Sequence, residues 1–294
     1  MNINKNYHCL SFRQIVYVGI GRMVGKFIST LSQAFTEQLE LDRFVSLANL
    51  HGYVLAREPV SRRLVITPPN DYNSKPTRMF LREASSDFAV YSSSIWCGDY
   101  SGLDELLHGK EESIRFCVDA GSNIGTTSIS LAEKFPGATI VSLEADQCNF
   151  AICSANIAES HHPNISCIHA ALWGCHEDLY LNSSGREWAH QVQQADSTFN
   201  SHHVRAITVP DLLEMSPNGI IDVLKIDIEG GEENLFLGST TADPREWLSR
   251  VRYIAIEIHG PRLDQQIKPL LRSAGFSLFQ TGETTYARNT LLDH

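Results

Sequence analysis

A doubly wound α/β sheet, mostly parallel and closed by an antiparallel hairpin, is the fold that three observations in this sequence predict. From Ile114 onward, short apolar runs alternate with stretches of helical period, the pattern of parallel strands joined by crossover helices. The first of these runs, Phe116-Cys117-Val118-Asp119, empties into a glycine turn, Ala120-Gly121-Ser122-Asn123-Ile124-Gly125. The last two runs are separated only by a turn holding Gly282, too short for a crossover, so they must pair antiparallel.

Residues 1–103 do not share the alternation and read as a helical and hairpin appendage; residues 104–294 form the α/β domain. The apolar stretch 15–20 is interrupted by Arg22 and Lys26, whereas a spanning helix needs about 20 largely apolar residues. No small-residue cleavage site follows it, and the one membrane reading left open is a basic interfacial helix at the N-terminus. Gly19, Gly21 and Gly25 mimic a nucleotide turn, but no strand ending in an acid follows them. Residues 31–50 are predicted helical and residues 63–67 a strand, cut by Pro68-Pro69-Asn70-Asp71. Phe88 starts another helix, with Ser85, Ser86 or Asp87 as cap.

In the α/β domain seven strands are predicted, at 115–119, 139–144, 166–171, 223–227, 253–259, 276–280 and 285–289. Thr126 opens a helix that presents Ile129, Leu131, Ala132 and Phe135 before Pro136-Gly137 stops it. Further helices are expected at 147–160, 233–237 and 263–274, the last closed by Gly275.

The chemistry is written at the strand ends. A glycine turn lets backbone approach a ligand, and an acid one strand later, Glu144, suits ribose hydroxyls. Dinucleotide folds place glycine where this chain has Asp119, a carboxylate that would repel a pyrophosphate and favour a cationic ligand. S-adenosylmethionine carries an ammonium and a sulfonium and no phosphate. The expected cofactor contacts are therefore Asp119, Gly121, Ser122, Asn123 and Gly125 around its methionine part, Glu144 on the ribose, Ala170 near the adenine and Asp227 on the ammonium or the acceptor. Alternation along a strand brings Asp227 together with Glu229, and Glu257 with His259, at the ligand end of the sheet. His259 is the first choice of general base, since an unperturbed imidazole titrates near working pH; Glu229 is second, and Glu257 orients His259 or Lys225. Lys225 reads as a structural ion-pair partner. Carboxylates with an imidazole also suit magnesium or manganese, so a divalent cation at this cluster is an alternative, though not the expected one. Between Trp173 and Thr208 the pattern lapses into a polar, Ser-, Gln- and His-rich stretch, expected as a loop that helps cover the acceptor.

The net charge of -10 argues against a nucleic-acid partner, which would call for clustered Lys and Arg, and favours small or neutral acceptors. Seven cysteines, an odd number with no C-x-x-C pair, indicate reduced thiols in a cytoplasmic protein. Two rival readings share the sheet: a nicotinamide-dependent oxidoreductase and a noncatalytic binding protein.

Three segments carry a resemblance. Val118-Asp119-Ala120-Gly121-Ser122-Asn123-Ile124-Gly125, Leu143-Glu144-Ala145-Asp146 and Leu224-Lys225-Ile226-Asp227-Ile228-Glu229-Gly230-Gly231-Glu232 together resemble the FkbM family of S-adenosylmethionine-dependent methyltransferases. Ile256-Glu257-Ile258-His259 fits too, and Leu81-Arg82-Glu83-Ala84-Ser85-Ser86-Asp87 leading to Asp99-Tyr100 is similar to that family's approach to its first strand. The chain departs from the pattern at Ala145, where proline is common, and at the extra glycine Gly231. The resemblance implies a class I methyltransferase fold and O-methylation of a hydroxyl on a small molecule, sugar or lipid.

Overall fold

The computed structural model describes residues 40–58, 63–69, 77–83, 85–97, 100–182, 191–194, 201–238 and 243–292. Its chain contacts divide into two units, Met1–Gly52 and Tyr53–His294. In the first, residues 40–50 form helix α1, whose buried positions Phe44 and Ala48 lie one turn apart. The glycine run at 19–25, the interfacial segment and the start of the expected helix at 31–50 lie outside the described residues. Among the described residues no helix is long and apolar enough to cross a membrane.

The second unit opens with a three-stranded antiparallel sheet, β1 (Val54–Arg57), β2 (Leu64–Thr67) and β3 (Met79–Leu81), in sequence order. Helix α2 (Asp87–Tyr91), a π-helical turn (Ser92–Cys97) and α3 (Gly102–Leu107) follow. Ser86 stands at the N-cap of α2 without a side-chain cap bond. Asp87 is turned inward instead, where Arg82 donates to it from its backbone and its guanidinium.

The main sheet has seven strands: β4 (Phe116–Ala120), β5 (Thr139–Glu144), β6 (Ile165–His169), β11 (Ile221–Ile226), β12 (Val251–Glu257), β13 (Phe276–Thr281) and β14 (Thr284–Asn289). Their order is β13-β14-β12-β11-β4-β5-β6, with every pair parallel except those made by β14. Helices α4 (Thr126–Lys134), α5 (Gln147–Ser160), α6 (Val209–Met215), α7 (Glu232–Leu237), α8 (Pro244–Leu248) and α9 (Pro261–Ser273) supply the crossovers. Strands β4 and β11 are buried along their whole length, because helices cover both faces; hence their runs are continuously apolar rather than alternating. The chain winds outward from β4 in one direction and from β11 in the other, so the crevice for a ligand lies beyond their carboxyl ends. This is the class I methyltransferase fold that the sequence predicts.

Two expectations are corrected. The predicted strand at 166–171 breaks at Ala170: β6 ends at His169, and Ala171–Leu172 forms β7 in a different sheet. The stretch expected as a loop between Trp173 and Thr208 builds the rest of that sheet, β8 (Asp178–Asn182), β9 (Gln191–Gln194) and β10 (Ser201–Ile207), in the order β7-β10-β8-β9. Leu179 with Leu181 and Val204 with Ala206 are buried at alternate positions, a period-two signal masked by the polar residues between them.

At the far end of the sheet from the crevice, the fully buried Asp222 clamps three strand starts. It accepts hydrogen bonds from the amides of Arg115 (2.7 Å) and Phe116 (3.0 Å) and pairs with Arg252 at 3.0 Å. Asp222→Ala is expected to cost about 3 kcal/mol, read as a lower urea midpoint at unchanged slope. A loss below about 1 kcal/mol would mean that other contacts hold the strand starts.

Candidate functional site

The glycine turn after β4 is anchored on β5, since the amides of Gly121 and Ser122 both donate to the Leu143 carbonyl at 3.0 and 2.9 Å. Gly121 has φ +77°, and a Cβ there would lie 1.7 Å from the Asp227 carbonyl oxygen, so only glycine lets the ends of β4 and β11 touch. Asn123, also left-handed at φ 50°, donates its amide to Glu144 Oε2 at 2.7 Å, while the Asp146 amide donates to Glu144 Oε1 at 2.8 Å. The Glu144 carboxylate thus ties together the loops that follow two neighbouring strands. Burial pushes its carboxyl up to about 7, against the lowering effect of those two amides.

Beside Glu144 a cavity opens to solvent beyond the strand ends, the concave setting of a ligand site. Gly121, Asn123, Glu144, Ala170, Asp227 and Glu229, all named from sequence, line it. Asn123 Oδ1 is buried without a hydrogen-bond partner, an unmet acceptor. Sequence reasoning missed the part that Asp146, Asn149, Trp173 and Leu181 take in the wall. Asp146 was legible as a helix N-cap: its side chain accepts from the amides of Cys148 and Asn149. Ser122 and Glu257 line an adjoining polar pocket with Ser94, Tyr100, Thr126 and Thr127; it shares Gly121, Asn123, Asp227 and Glu229 with the cavity. Tyr100 reaches it from ahead of α3 and donates to Asp227 Oδ2 at 3.3 Å.

Asp119 and Gly125 line neither space. Gly125 serves the backbone, with φ +89° at the start of α4. Asp119 is fully buried and faces inward, accepting from Ser128 at 2.6 Å and pairing with Lys225 at 3.1 Å, so the expectation that it meets a ligand cation directly is corrected. Its charge acts through Lys225. The Lys225 ammonium donates to the Gly121 carbonyl at 2.7 Å and lies 3.7 Å from Asp227. Burial opposes its charge, but Asp119, Tyr100 and Asp227 outweigh that and hold its pKa well above the ordinary lysine value.

Beyond β11 the alternation inferred for Asp227 and Glu229 does not apply: the strand ends at Ile226, and Glu229 sits in a turn with φ 49°. They nonetheless meet His259, with one donor atom of each residue within 4.8 Å of the others. His259 Nδ1 lies 3.0 Å from the fully buried Glu232, and Nε2 lies 3.4 Å from Glu229. The Glu232 hydrogen bond pushes His259 up to about 9, and the charges of Glu232, Glu229 and Asp227 add to this against the opposing effect of burial. At neutral pH the ring is therefore an imidazolium with no lone pair to accept a proton, and it neutralises the cluster from within. Glu229 and Glu257 are each pushed up to about 7, chiefly by burial.

Residues 119–278 match the model of the methyltransferase FkbM domain family. Methyltransferase 1 of Beauveria bassiana (strain ARSEF 2860) is 27% identical over 187 residues, which is 55% of this chain and 72% of that protein. Among solved structures, the METTL16 methyltransferase domain matches at 15% identity and TM-score 0.39, covering 63% of each chain, a little under two thirds of that domain. The magnesium protoporphyrin IX methyltransferase of Synechocystis PCC 6803, with bound SAM, matches at 14% identity and TM-score 0.37, over 63% of this chain and 74% of that one.

His259 offers a direct check on the electrostatics. Its folded pKa lies above the unfolded value of about 6.5, so the stability gained from its charge is complete below that pH and is lost as pH rises through about 9. Its imidazole NMR resonance should titrate near pH 9; a midpoint at or below about 7 would restore it as a neutral proton acceptor.

Proposed function

Because the chain belongs to the FkbM methyltransferase family, whose donor is S-adenosylmethionine, we propose that it transfers a methyl group to a hydroxyl oxygen of a neutral small molecule, sugar or lipid. The observation that carries this reading is the Glu144 carboxylate, fixed by two amides at the wall of the cavity beyond the sheet's switch point. Each of its oxygens keeps a lone pair for a ribose hydroxyl. Gly121 without a side chain and the unmet Asn123 oxygen fit the amino-acid end of the donor, with Ser122, Asp227 and Glu257 nearby; Ala170 lies on the side assigned to adenine. Asp119 and Gly125 contribute indirectly, through Lys225 and through the turn.

When bound, the donor supplies an electrophilic methyl group, and the protein's part is alignment and removal of one proton. Glu229 is assigned that proton. It lines both the cavity and the adjoining pocket, and the His259 cation beside it steadies its charged form. His259 thus becomes a positioning residue in place of the base. Asp227, Glu229, Glu232 and Glu257 make this region acidic, which supports a neutral acceptor over a phosphate-bearing one. The free thiols of the described cysteines support a cytoplasmic setting.

Calorimetry with S-adenosylmethionine tests the donor site: Glu144→Ala should weaken binding by about a hundredfold, the effect of losing two charge-assisted hydrogen bonds. Unchanged affinity would remove the ribose assignment. For catalysis, tritiated-methyl transfer to a panel of sugars, lipids and RNA should label hydroxyl compounds, with turnover rising through about pH 7 as Glu229 ionises. Glu229→Gln should lower kcat by about 10²- to 10⁴-fold with donor affinity preserved. Label appearing in RNA alone would defeat the acceptor class, and undiminished turnover in the variant would defeat the base.

A further inference from the structure

We infer that Cys153 and Cys167 form a peroxide-sensitive dithiol site that reshapes the glycine turn and so controls donor binding; the last step rests on the donor reading above. Cys153, on α5, is fully buried, and its Sγ lies 3.4 Å from Sγ of the partly exposed Cys167 on β6. The same Cys153 sulfur is 3.5 Å from Ser122 Oγ and 3.5 Å from Ser142 Oγ. It also stands 3.1 Å from where a Cβ on Gly125 would be. One sulfur is therefore packed at once against its partner thiol and against both ends of the turn.

The two thiols have different chemistry. Contact with Cys153 holds the Cys167 thiol below the ordinary range, and the same contact, with burial, pushes Cys153 up. Cys167 is the more accessible of the two, so it is the thiol that a peroxide reaches first. Its sulfur attacks a peroxide oxygen, the O–O bond breaks, the alcohol or water leaves with a proton, and Cys167 becomes a sulfenic acid. The Cys153 sulfur then attacks the sulfenyl sulfur, the S–O bond breaks, and the hydroxyl leaves as water with the Cys153 proton. Two thiols have given up two electrons to one peroxide. A disulfide brings its sulfurs to about 2.05 Å, so closing the present gap moves sulfur within a packed layer that touches Ser122 and Gly125. Between these residues lies Asn123, whose amide anchors Glu144.

The test uses the whole chain, treated with hydrogen peroxide and digested without reduction for mass spectrometry. Hydrogen exchange of residues 120–126 and S-adenosylmethionine affinity are followed before oxidation, after it, and after dithiothreitol. The expected result is a Cys153–Cys167 linked peptide two hydrogens lighter, faster exchange in the turn, and an affinity loss of at least about tenfold, or roughly 1.4 kcal/mol. Dithiothreitol should reverse all three, and C167S, which binds the donor normally, should show none. Absence of the linked peptide overturns the proposal, as does a linked peptide with unchanged exchange and affinity. Should the reduced protein bind no donor, the donor reading fails by itself, and the linked peptide with the turn's exchange still decides the dithiol site.

Discussion

The buried pair of Asp119 and Lys225 is the constraint on which the site depends. A lysine ammonium sealed among the ends of parallel strands would be untenable without a fixed counter-charge, and removing one member of such a pair typically costs several kcal/mol. Asp119 is itself held by Ser128 at the start of α4, so the first strand, its helix and the carboxyl end of β11 are joined through one charge pair. Lys225 donates its remaining hydrogen bonds to the Gly121 and Ala120 carbonyls and keeps its charge 3.7 Å from the Asp227 carboxylate. The interior thereby fixes the two chain segments that face the ligand, and neither can turn without uncovering charge.

Around that anchor the chain separates its carboxylates by environment. Asp119 faces a cation and serves architecture. Glu144 and Glu229 are desolvated, which keeps their protons available for exchange near neutrality. His259 is set between two glutamates, so the residue best suited by its free-solution chemistry to move protons is converted into a fixed positive charge. In the reaction proposed above, proton traffic then passes to Glu229.

Much of this could be read from sequence, for reasons that differ by element. β5 and α5 appear at the bounds expected of them because strong periodicity meets unambiguous punctuation: Glu144 ends the one and Asp146 caps the other. The direction of Asp119 could not be read, because β4 is covered on both faces and alternation there says nothing about inside and outside. The protonation of His259 depends on Glu232, 27 positions earlier on another element, a relation only the folded chain creates. The second sheet escaped notice because its buried alternation, Leu179 with Leu181 and Val204 with Ala206, spans few residues and sits between polar neighbours. Tyr100 was in view only as part of a family-like segment, and its reach to Asp227 comes from the path of the chain ahead of the sheet.

The break at Ala170 divides the wall of the cavity between two sheets. The wall that holds Glu144 is set by the register of the main sheet, where any slip would disturb every neighbouring strand. The strands that begin with Ala171 belong to a separate ladder and touch the ligand space mainly through Leu172, Trp173 and Leu181. Lengthening β8 and β9 would therefore reshape one side of the cavity while leaving the register of the seven-stranded sheet as it is.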